Sequence, residues 1–304
     1  MADLFSDERF CEFLSKIDAQ DAAKFKLSQV EDEHYDIYEF YGGVYAFLSK
    51  WESNEEIAAF FLVVGDDKAM LIDTGMGGGD IPQMIFRLIE DKELVVVYTH
   101  EHFDHIAFAG SFENEYMINV EESIERVNAG FTSDELSISR VRTDSPYPLE
   151  EGRATSAANI KPIEDGTVFE LGNRTVKAIH TPGHSPASTC YYDEKYGLLF
   201  VGDIFASSTI YIHFDDDFFL KSDLDTFVQS LEKLMPYVHK SKYIYFTHPS
   251  VADKADKLVL LKDAVEEVRA GKVAYDIVHD ELSQSDVKCY KTHGLNILVS
   301  LNND

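Results

Sequence analysis

One short segment holds an unusual share of the chain's histidines. The segment "YTHEHFDHIAFAG", residues 98–110, places three histidines and an aspartate within six positions, although the 304 residues contain only 11 histidines. His100 and His102 lie two apart just past the apolar stretch "ELVVVYT", so an extended backbone would direct both imidazoles to one side. Asp104 and His105 follow where the chain should turn. Imidazole and carboxylate are ligands that Zn²⁺ takes, so the segment predicts a metal site rather than a solvated turn.

Four more polar residues follow apolar stretches that are typical of strands. His184 comes after "TVKAI" and a Pro-Gly turn, and Asp203 comes after "LLFVG". His248 follows "YIYFT", and Asp73 ends "AMLI" before a glycine-rich turn. Each of them alone is typical of a turn, a cap or a surface histidine. Together they predict that parallel strands of one sheet present ligands along a single edge.

In order and spacing, these residues resemble the five motifs of the metallo-β-lactamase superfamily. The resemblance covers about residues 40–250, and the phrases "LIDTG", "HTPGHSPAS" and "LLFVGD" are similar to its general hydrolase branch, which includes glyoxalase II-like thioesterases and lactonases. It implies an α/β fold, the αββα sandwich, in which two mixed β-sheets lie face to face with helices on the outer faces. Alternating strand and helix patterns along the chain are compatible with this layered fold.

The resemblance also implies two divalent metal ions, with Zn²⁺ expected and Fe or Mn as alternatives. The first ion would take three imidazoles, those of His100, His102 and His184. The second would take three side chains and share a bridging carboxylate: Asp104, His105 and His248, with Asp203 as the bridge. Asp73 would lie outside these ligands and hydrogen-bond to the segment that carries them, which orients it.

Two cations lower the pKa of bound water from about 16 towards neutrality, so that hydroxide becomes available as a nucleophile. Asp104 is the expected catalytic residue, because it can orient this hydroxide and pass its proton to the leaving group. In "STIYIHFDDDFF", Tyr211 and His213 share a face of an extended strand, and either could donate a hydrogen bond to an oxyanion. The alternative for both is a packed aromatic strand.

We therefore expect a binuclear metal-dependent hydrolase that acts on a small carboxylic thioester, ester or lactone. The alternatives are a phosphodiesterase for a small or lipid phosphodiester, and a metal-containing regulatory module with low turnover. The formal charge is 27 − 55 = −28, and no basic stripe occurs, which argues against a nucleic-acid partner. A small-molecule substrate is the expected partner, and the sequence leaves the oligomeric state open.

Domain organisation is read from the same patterns. Residues 1–30 are predicted to form an N-terminal helical extension, with a helix over 6–24, and 31–304 a single domain. Residues 131–160 are the least regular stretch and are predicted to form a surface excursion near the site. The tail after 270 is predicted to hold two last strands, "VAYDIVHD" and "VKCYKTHGLNILVSL".

Single elements are predicted within this frame. A hairpin is expected around "GDD", and helices are expected in "DIPQMIFRLIEDK", in a segment ending near Gly130, and over 223–235 and 252–270. The chain start lacks a signal-peptide pattern, and no apolar run reaches a membrane span. The three scattered cysteines imply no disulfide framework. We therefore expect a cytoplasmic protein without a membrane partner.

Overall fold

The structure is a computed structural model that describes residues 26–28, 30, 32–50, 58–131, 159–248 and 250–302. The predicted helix over 6–24 lies outside the described residues. So does nearly all of the predicted excursion at 131–160. The first strand, Lys26–Leu27, lies within the segment assigned to the N-terminal extension and pairs with the main sheet.

The first sheet has eight strands in chain order. They are β1 (Lys26–Leu27), β2 (Tyr35–Phe40), β3 (Val44–Ser49), β4 (Phe60–Val64), β5 (Lys68–Ile72), β6 (Glu93–Val97), β7 (Glu115–Ile118) and β8 (Lys161–Ile163). Neighbours from β1 to β5 are antiparallel, which includes the predicted hairpin around "GDD", and neighbours from β5 to β8 are parallel. The sheet is therefore mixed, and both β5 and β6 end at the same edge.

The second sheet has six strands, in the order β17-β16-β12-β11-β10-β9. Their bounds are β9 (Val168–Glu170), β10 (Thr175–His180), β11 (Thr189–Asp193), β12 (Leu198–Gly202), β16 (Tyr243–Phe246) and β17 (Ala252–Lys254). Only β12 and β16 pair in parallel among these described strands. Since β10 and β12 flank the antiparallel β11, the strands β10, β12 and β16 all run in one direction.

A smaller sheet is built largely from the tail, in the order β13-β20-β19-β18. Its strands are β13 (Thr209–Ile212), β18 (Tyr275–Asp280), β19 (Ser285–Thr292) and β20 (Leu295–Ser300), and a separate short pair is β14 (Asp215–Asp216) with β15 (Leu220–Lys221). The prediction of two tail strands was wrong, because the tail forms three. His293 (φ 51°) and Gly294 (φ 78°) turn the chain between β19 and β20, the backbone of a tight hairpin.

Four helices complete the described part of the fold. They are α1 (Ile81–Ile89), α2 (Glu121–Ala129), α3 (Leu224–Val238) and α4 (Lys257–Arg269). The Asp80 and Asp223 side chains cap α1 and α3 by accepting backbone N–H bonds three residues on. The helix predicted from 252 begins at 257, because β17 occupies 252–254. No helix in the described ranges is long and apolar enough to span a bilayer.

The elements stack in the predicted αββα order. Aromatic side chains such as Phe61, Phe200 and Tyr245 fill the space between the two large sheets. Buried residues of α1 and α2 pack on the outer face of the first sheet. Buried residues of α3 and α4, together with the small sheet, cover the outer face of the second sheet. Each fully buried Phe contributes about 1.5–3 kcal/mol, so this double-sided burial dominates the stability.

A buried arginine, paired with an aspartate, links the two large sheets. The Arg174 guanidinium donates to the Asp193 carboxylate in the second sheet and to the carbonyl oxygens of Gly42 and Val64 in the first. Both charged side chains are almost fully buried. Val64 pairs with Ala69 at the start of β5, so this link lies at the opposite end of the sandwich from Asp73.

Candidate metal centre

Strand ends from both large sheets meet at one edge of the sandwich. Asp73 follows β5, and the HxHxDH segment (100–105) begins three residues after β6, in the first sheet. His184, Asp203 and His248 follow β10, β12 and β16 in the second sheet. The prediction that one sheet carries all of these residues was therefore wrong. Two sheets share them, so ligands from both sheets meet at this edge.

Three buried histidines form the first group: His100, His102 and His184. Backbone carbonyls orient two of these rings. Nε2 of His102 donates to the Phe219 carbonyl at 2.9 Å, and Nδ1 of His184 donates to the Tyr211 carbonyl at 2.8 Å. The remaining nitrogens, Nδ1 of His102 and Nε2 of His184, then face each other 3.2 Å apart as two lone pairs. A shared cation is what such an arrangement requires.

Four side chains form the second group: Asp104, His105, Asp203 and His248. Nε2 of His248 lies 3.0 Å from Oδ2 of Asp104, and Nε2 of His105 lies 3.3 Å from Oδ1 of Asp203. One ligand atom from each of the four side chains lies within 4.8 Å of the others. Two imidazoles and two carboxylates are a suitable donor set for a divalent transition metal.

Asp203, a member of the second group, also lies close to the first. Its Oδ2 is 3.7 Å from Nε2 of His184 and 4.0 Å from Nε2 of His100, both in the first group. The same oxygen is 3.7 Å from Nε2 of His248 in the second. A carboxylate within 4.0 Å of imidazoles from both groups is placed to bridge two ions.

Buried polar atoms without a hydrogen-bond partner mark the same point. Among the described residues, these include Nε2 of His100, Nε2 of His105 and Oδ1 of Asp203. Buried polar atoms are nearly always satisfied, so three such atoms aimed at one centre need an explanation. Metal ions bound at the two groups would satisfy these atoms, so the residues present fit the metal that the ligand types imply.

Asp73 lies behind His105, outside both groups. Its carboxylate accepts hydrogen bonds from Nδ1 of His105 at 2.9 Å and from the backbone N–H and hydroxyl of Thr99 at 2.7 Å each. The neighbouring Thr74 donates its N–H and hydroxyl to the carbonyl of His105. The "LIDTG" stretch thus clamps the HxHxDH segment and leaves Nε2 of His105 directed at the centre.

Two glycines allow close backbone approach directly before a ligand of the second sheet. Gly202 has φ +50° directly before Asp203, and a Cβ there would lie 2.8 Å from the Thr99 hydroxyl. Gly183 has φ +136° directly before His184, and a Cβ there would lie 2.4 Å from the Phe227 backbone. The "GD" and "PGH" pairs are therefore positions where only glycine lets the following ligand reach the centre.

The first group is held neutral. Burial lowers the pKa of His102 to about 3, with a further contribution from His184. Burial likewise lowers the pKa values of His100 and His184. Neutral imidazoles present lone pairs, so this group is ready to bind a cation without first losing protons.

The second group is held charged when no cation is bound. Burial works against the Asp203 carboxylate, but His105 and His248 hold its pKa well below the usual range, and His105 and His248 also lower the pKa of Asp104. Burial opposes protonation of His105 and His248, yet Asp203 and Asp104 raise the pKa of each ring. A cation that binds at this group would therefore have to displace protons from these rings.

The centre opens on the side of the second group. His248 is 21% exposed, and Asp104 and Asp203 are each 14% exposed, whereas His105 and the first group are buried. Aromatic rings flank His102, with Phe219 at 5.1 Å and Phe214 at 5.4 Å between centroids. A substrate would therefore reach the carboxylate side of the centre first.

The structure gives Tyr211 and His213 other contacts. Nε2 of His213 lies 3.1 Å from Oδ2 of Asp280, on the tail hairpin, and the ring is buried. The carbonyl of Tyr211 accepts from His184, and its ring stacks on Phe214 with centroids 6.1 Å apart. These contacts do not test an oxyanion role, which stays a prediction for both residues.

Several residues of the centre were not predicted from the sequence. The carbonyls of Phe219 and Tyr211 orient two ligands, but a backbone carbonyl leaves no mark in a sequence. Thr99 carries a signal that was available, since it directly precedes the HxHxDH segment. Glu101 lies inside that segment, is fully buried, and has its pKa raised to about 7 by burial.

The family model described as "Metallo-beta-lactamase superfamily" matches residues 54–265. The chain belongs to the metallo-beta-lactamase superfamily. The matched region contains all seven side chains of the two groups and Asp73. With its family, its thioesterase relatives and its two metal-type groups, the chain is a metal-dependent hydrolase.

Two similar proteins carry the same name, that of a thioesterase. The chain is 28% identical over 212 residues to "Acyl-coenzyme A thioesterase MBLAC2" of Homo sapiens, which covers 65% of this chain and 74% of that protein. It is 27% identical over 213 residues to the protein of the same name from Bos taurus, with the same two coverages. These relatives are what the chain resembles within its superfamily.

A solved structure shows the same fold. A metallo-beta-lactamase from Pontibacter korlensis superposes with a TM-score of 0.56 at 14% identity, covering 76% of this chain and 99% of that chain. Similarity at this level of identity shows the fold alone. It confirms the α/β sandwich with two mixed sheets.

Proposed function

We propose that this enzyme hydrolyses a carboxylic thioester at a binuclear metal centre. The observation that carries the proposal is the position of Asp203, whose carboxylate lies within 4.0 Å of imidazoles from both groups. Acyl-coenzyme A thioesterases among the relatives support a thioester as the substrate class. Water adds to the thioester carbonyl, the C–S bond breaks, and the products are a carboxylic acid and a thiol.

Each group would hold one divalent ion. The first would be bound by His100, His102 and His184, and the second by Asp104, His105 and His248, with Asp203 shared between them. When bound, the ions lower the pKa of water and polarise the carbonyl oxygen. Zn²⁺ suits this mixed imidazole and carboxylate donor set, and Fe and Mn are the alternatives.

Side chains of the open side would manage the proton. Asp104 is partly exposed, and its carboxylate faces His248, so it can take a proton from the attacking water. It would then return this proton to the departing sulfur. His105 cannot play that part, because Nδ1 is bonded to Asp73 and the ring is fully buried.

An apolar wall beside the first group would receive the acyl part of the substrate. Phe218 is half-buried and contacts Phe219, with centroids 4.6 Å apart, and Phe131, with centroids 5.1 Å apart. Phe219 in turn contacts the His102 ring. An acyl chain laid on Phe218 would therefore lie beside the rings that contact His102.

A substrate panel tests the proposal. Metal-loaded enzyme would be assayed against acyl-coenzyme A esters, neutral thioesters of N-acetylcysteamine, lactones, a phosphodiester and a cephalosporin. Thiol release from the thioesters should exceed turnover of every other class by at least about tenfold. His248→Ala should abolish most of this rate, while His239→Ala, a change on the exposed end of α3, should leave it unchanged. Preferred turnover of the phosphodiester or lactone would overturn the thioesterase assignment.

A further inference from the structure

Glu101 is a buried carboxylate that belongs to neither metal-type group. It lies between His100 and His102 in sequence and is 0% exposed. Burying a carboxylate is unfavourable unless its partners compensate. An apolar residue could occupy this buried position between two ligands at lower cost, unless the carboxyl group has a task there.

One partner of Glu101 is the residue that follows a ligand of the other sheet. Oε2 of Glu101 accepts a hydrogen bond from the Ser185 hydroxyl at 3.0 Å, and Ser185 directly follows His184. The Ser185 hydroxyl in turn accepts from Ser188 at 3.2 Å, and Ser188 also accepts from the Ser185 backbone N–H at 3.0 Å. This buried chain of hydrogen bonds ends on the carboxylate.

The Glu101–Ser185 bond joins segments of the two large sheets. His100 and His102 are carried by the first sheet and His184 by the second, so their relative position depends on contacts between the sheets. Other hydrogen bonds also cross near this point, including those from the Thr189 N–H to the Thr99 carbonyl at 2.8 Å and from the Tyr191 hydroxyl to the Tyr98 carbonyl at 2.9 Å. Both of these start from β11, whereas the Glu101–Ser185 bond reaches the residue next to His184. Metal ligands must be held within a few tenths of an ångström, so a bond next to the ligand itself adds to the alignment.

We propose that Glu101 is a positioning residue for the first metal ion, acting through Ser185 to hold His184 in place against His100 and His102. The inference rests on the proposed binuclear centre. It is independent of which substrate is hydrolysed. Glu101 touches neither ion nor substrate in this account, and its effect passes through the position of His184.

Metal titration tests this role without a substrate assay. Zn²⁺ would be titrated into metal-free protein by calorimetry, in a His105→Ala background that weakens the second group so that the first is observed alone. Glu101→Ala and Ser185→Ala should each weaken this remaining site by about 10- to 100-fold. Glu101→Gln, which keeps an acceptor oxygen, should restore affinity to within about threefold. The double change Glu101→Ala with Ser185→Ala should be no worse than either single change, because both break one link.

Glu115→Gln is the matched control. Glu115 is also a buried carboxylate, but it bonds to the Tyr98 hydroxyl and the Gly110 N–H, both within the first sheet's own segment. We expect this change to leave the first site within about threefold of the parent. Equal loss in Glu115→Gln and Ser185→Ala, or unchanged affinity in folded Glu101→Ala and Ser185→Ala, would overturn the proposal. Normal metal behaviour without thioester turnover would instead refute the proposed substrate class.

Discussion

The Asp73 carboxylate accepts a hydrogen bond from Nδ1 of His105 at 2.9 Å, and Nε2 of the same ring lies 3.3 Å from Oδ1 of Asp203. One ring therefore connects a residue outside the metal groups to the carboxylate between them. Because Nδ1 carries the proton that Asp73 accepts, Nε2 is the nitrogen left to bind a cation. Asp73 sets both the tautomer and the direction of this ligand.

Replacing Asp73 by Asn tests this supporting role. An amide has one acceptor oxygen for three donors, so the His105 ring and Thr99 should lose part of their anchoring. We expect a loss of ten- to a hundredfold in activity at saturating metal, on the scale seen for partners of metal ligands. Steady-state rates across a metal titration would show it. A loss greater than that of Asp203→Asn at saturating metal would contradict the assignment.

Replacing Asp203 by Asn tests the bridge. The amide keeps the size and one oxygen but removes the charge that both cations would share, so the two ions should repel each other with less compensation. We expect turnover to fall by roughly a thousandfold or more. The exposed Asp215 offers a control, since Asp215→Asn should leave turnover unchanged. Near-wild-type turnover of Asp203→Asn would show that this carboxylate does not bridge.

The two groups should differ in the protons that metal binding releases. In the metal-free protein the pKa values of His105 and His248 are raised, so these rings hold protons that a cation must displace. The first group has lowered pKa values and holds no such protons. Affinity at the second group should therefore fall as pH falls from about 8 to about 6, while affinity at the first changes little. Because the ordinary pKa of histidine lies within this range, raised and lowered pKa values separate the two groups there.

Calorimetry in two buffers of different protonation enthalpy measures this release directly. We expect about two more protons to be displaced at the second group than at the first, with His248→Ala removing about one of them. Equal proton release at the two groups would contradict the charge states assigned to these residues.

The periodic patterns of the sequence predict most of the strands and helices and a layered α/β fold, whereas the αββα order of the layers came from the resemblance to the superfamily. The tail was misread at one point: "KTHGLN" contains a tight turn in which His293 takes a positive φ, a position where Asn is the familiar signal. Ala252–Lys254 was read as helix because its composition matches the helix that follows. Only its pairing with Tyr243–Tyr245 makes it a strand, and pairing is set by tertiary contacts.

The sequence predicts the residue types of the candidate site, but not the groups that hold these residues in place. Histidines and aspartates at strand ends mark the ligands of the two groups, because histidine is scarce in this chain and these residues are clustered. The division between two sheets could not be read, because β10 and β12 look alike in sequence whichever sheet they join. Other supporting groups are far in sequence from the residues that they contact, so only the folded structure shows them. They are the carbonyls of Phe219 and Tyr211 and the hydroxyl of Ser185.

The buried pair of Arg174 and Asp193 should matter for stability and not for chemistry. Arg174→Met leaves the Asp193 carboxylate buried without its cation, which we expect to lower the free energy of unfolding by about 3–5 kcal/mol. Urea unfolding would measure this loss. The double change Arg174→Met with Asp193→Leu should recover much of it, since no unpaired charge remains. A loss below about 1 kcal/mol in the single variant would contradict this role.

Metal stoichiometry tests the central claim most directly. Elemental analysis of purified protein, reconstituted with Zn²⁺ and freed of excess, should give close to two equivalents per chain, as the two separate donor groups require. His248→Ala should retain close to one equivalent, because the first group is left intact. Chelation should remove thioester hydrolysis, and added Zn²⁺ should restore it. A folded wild-type protein that takes up no metal, or one that binds a single equivalent unaffected by His248→Ala, would contradict the binuclear centre.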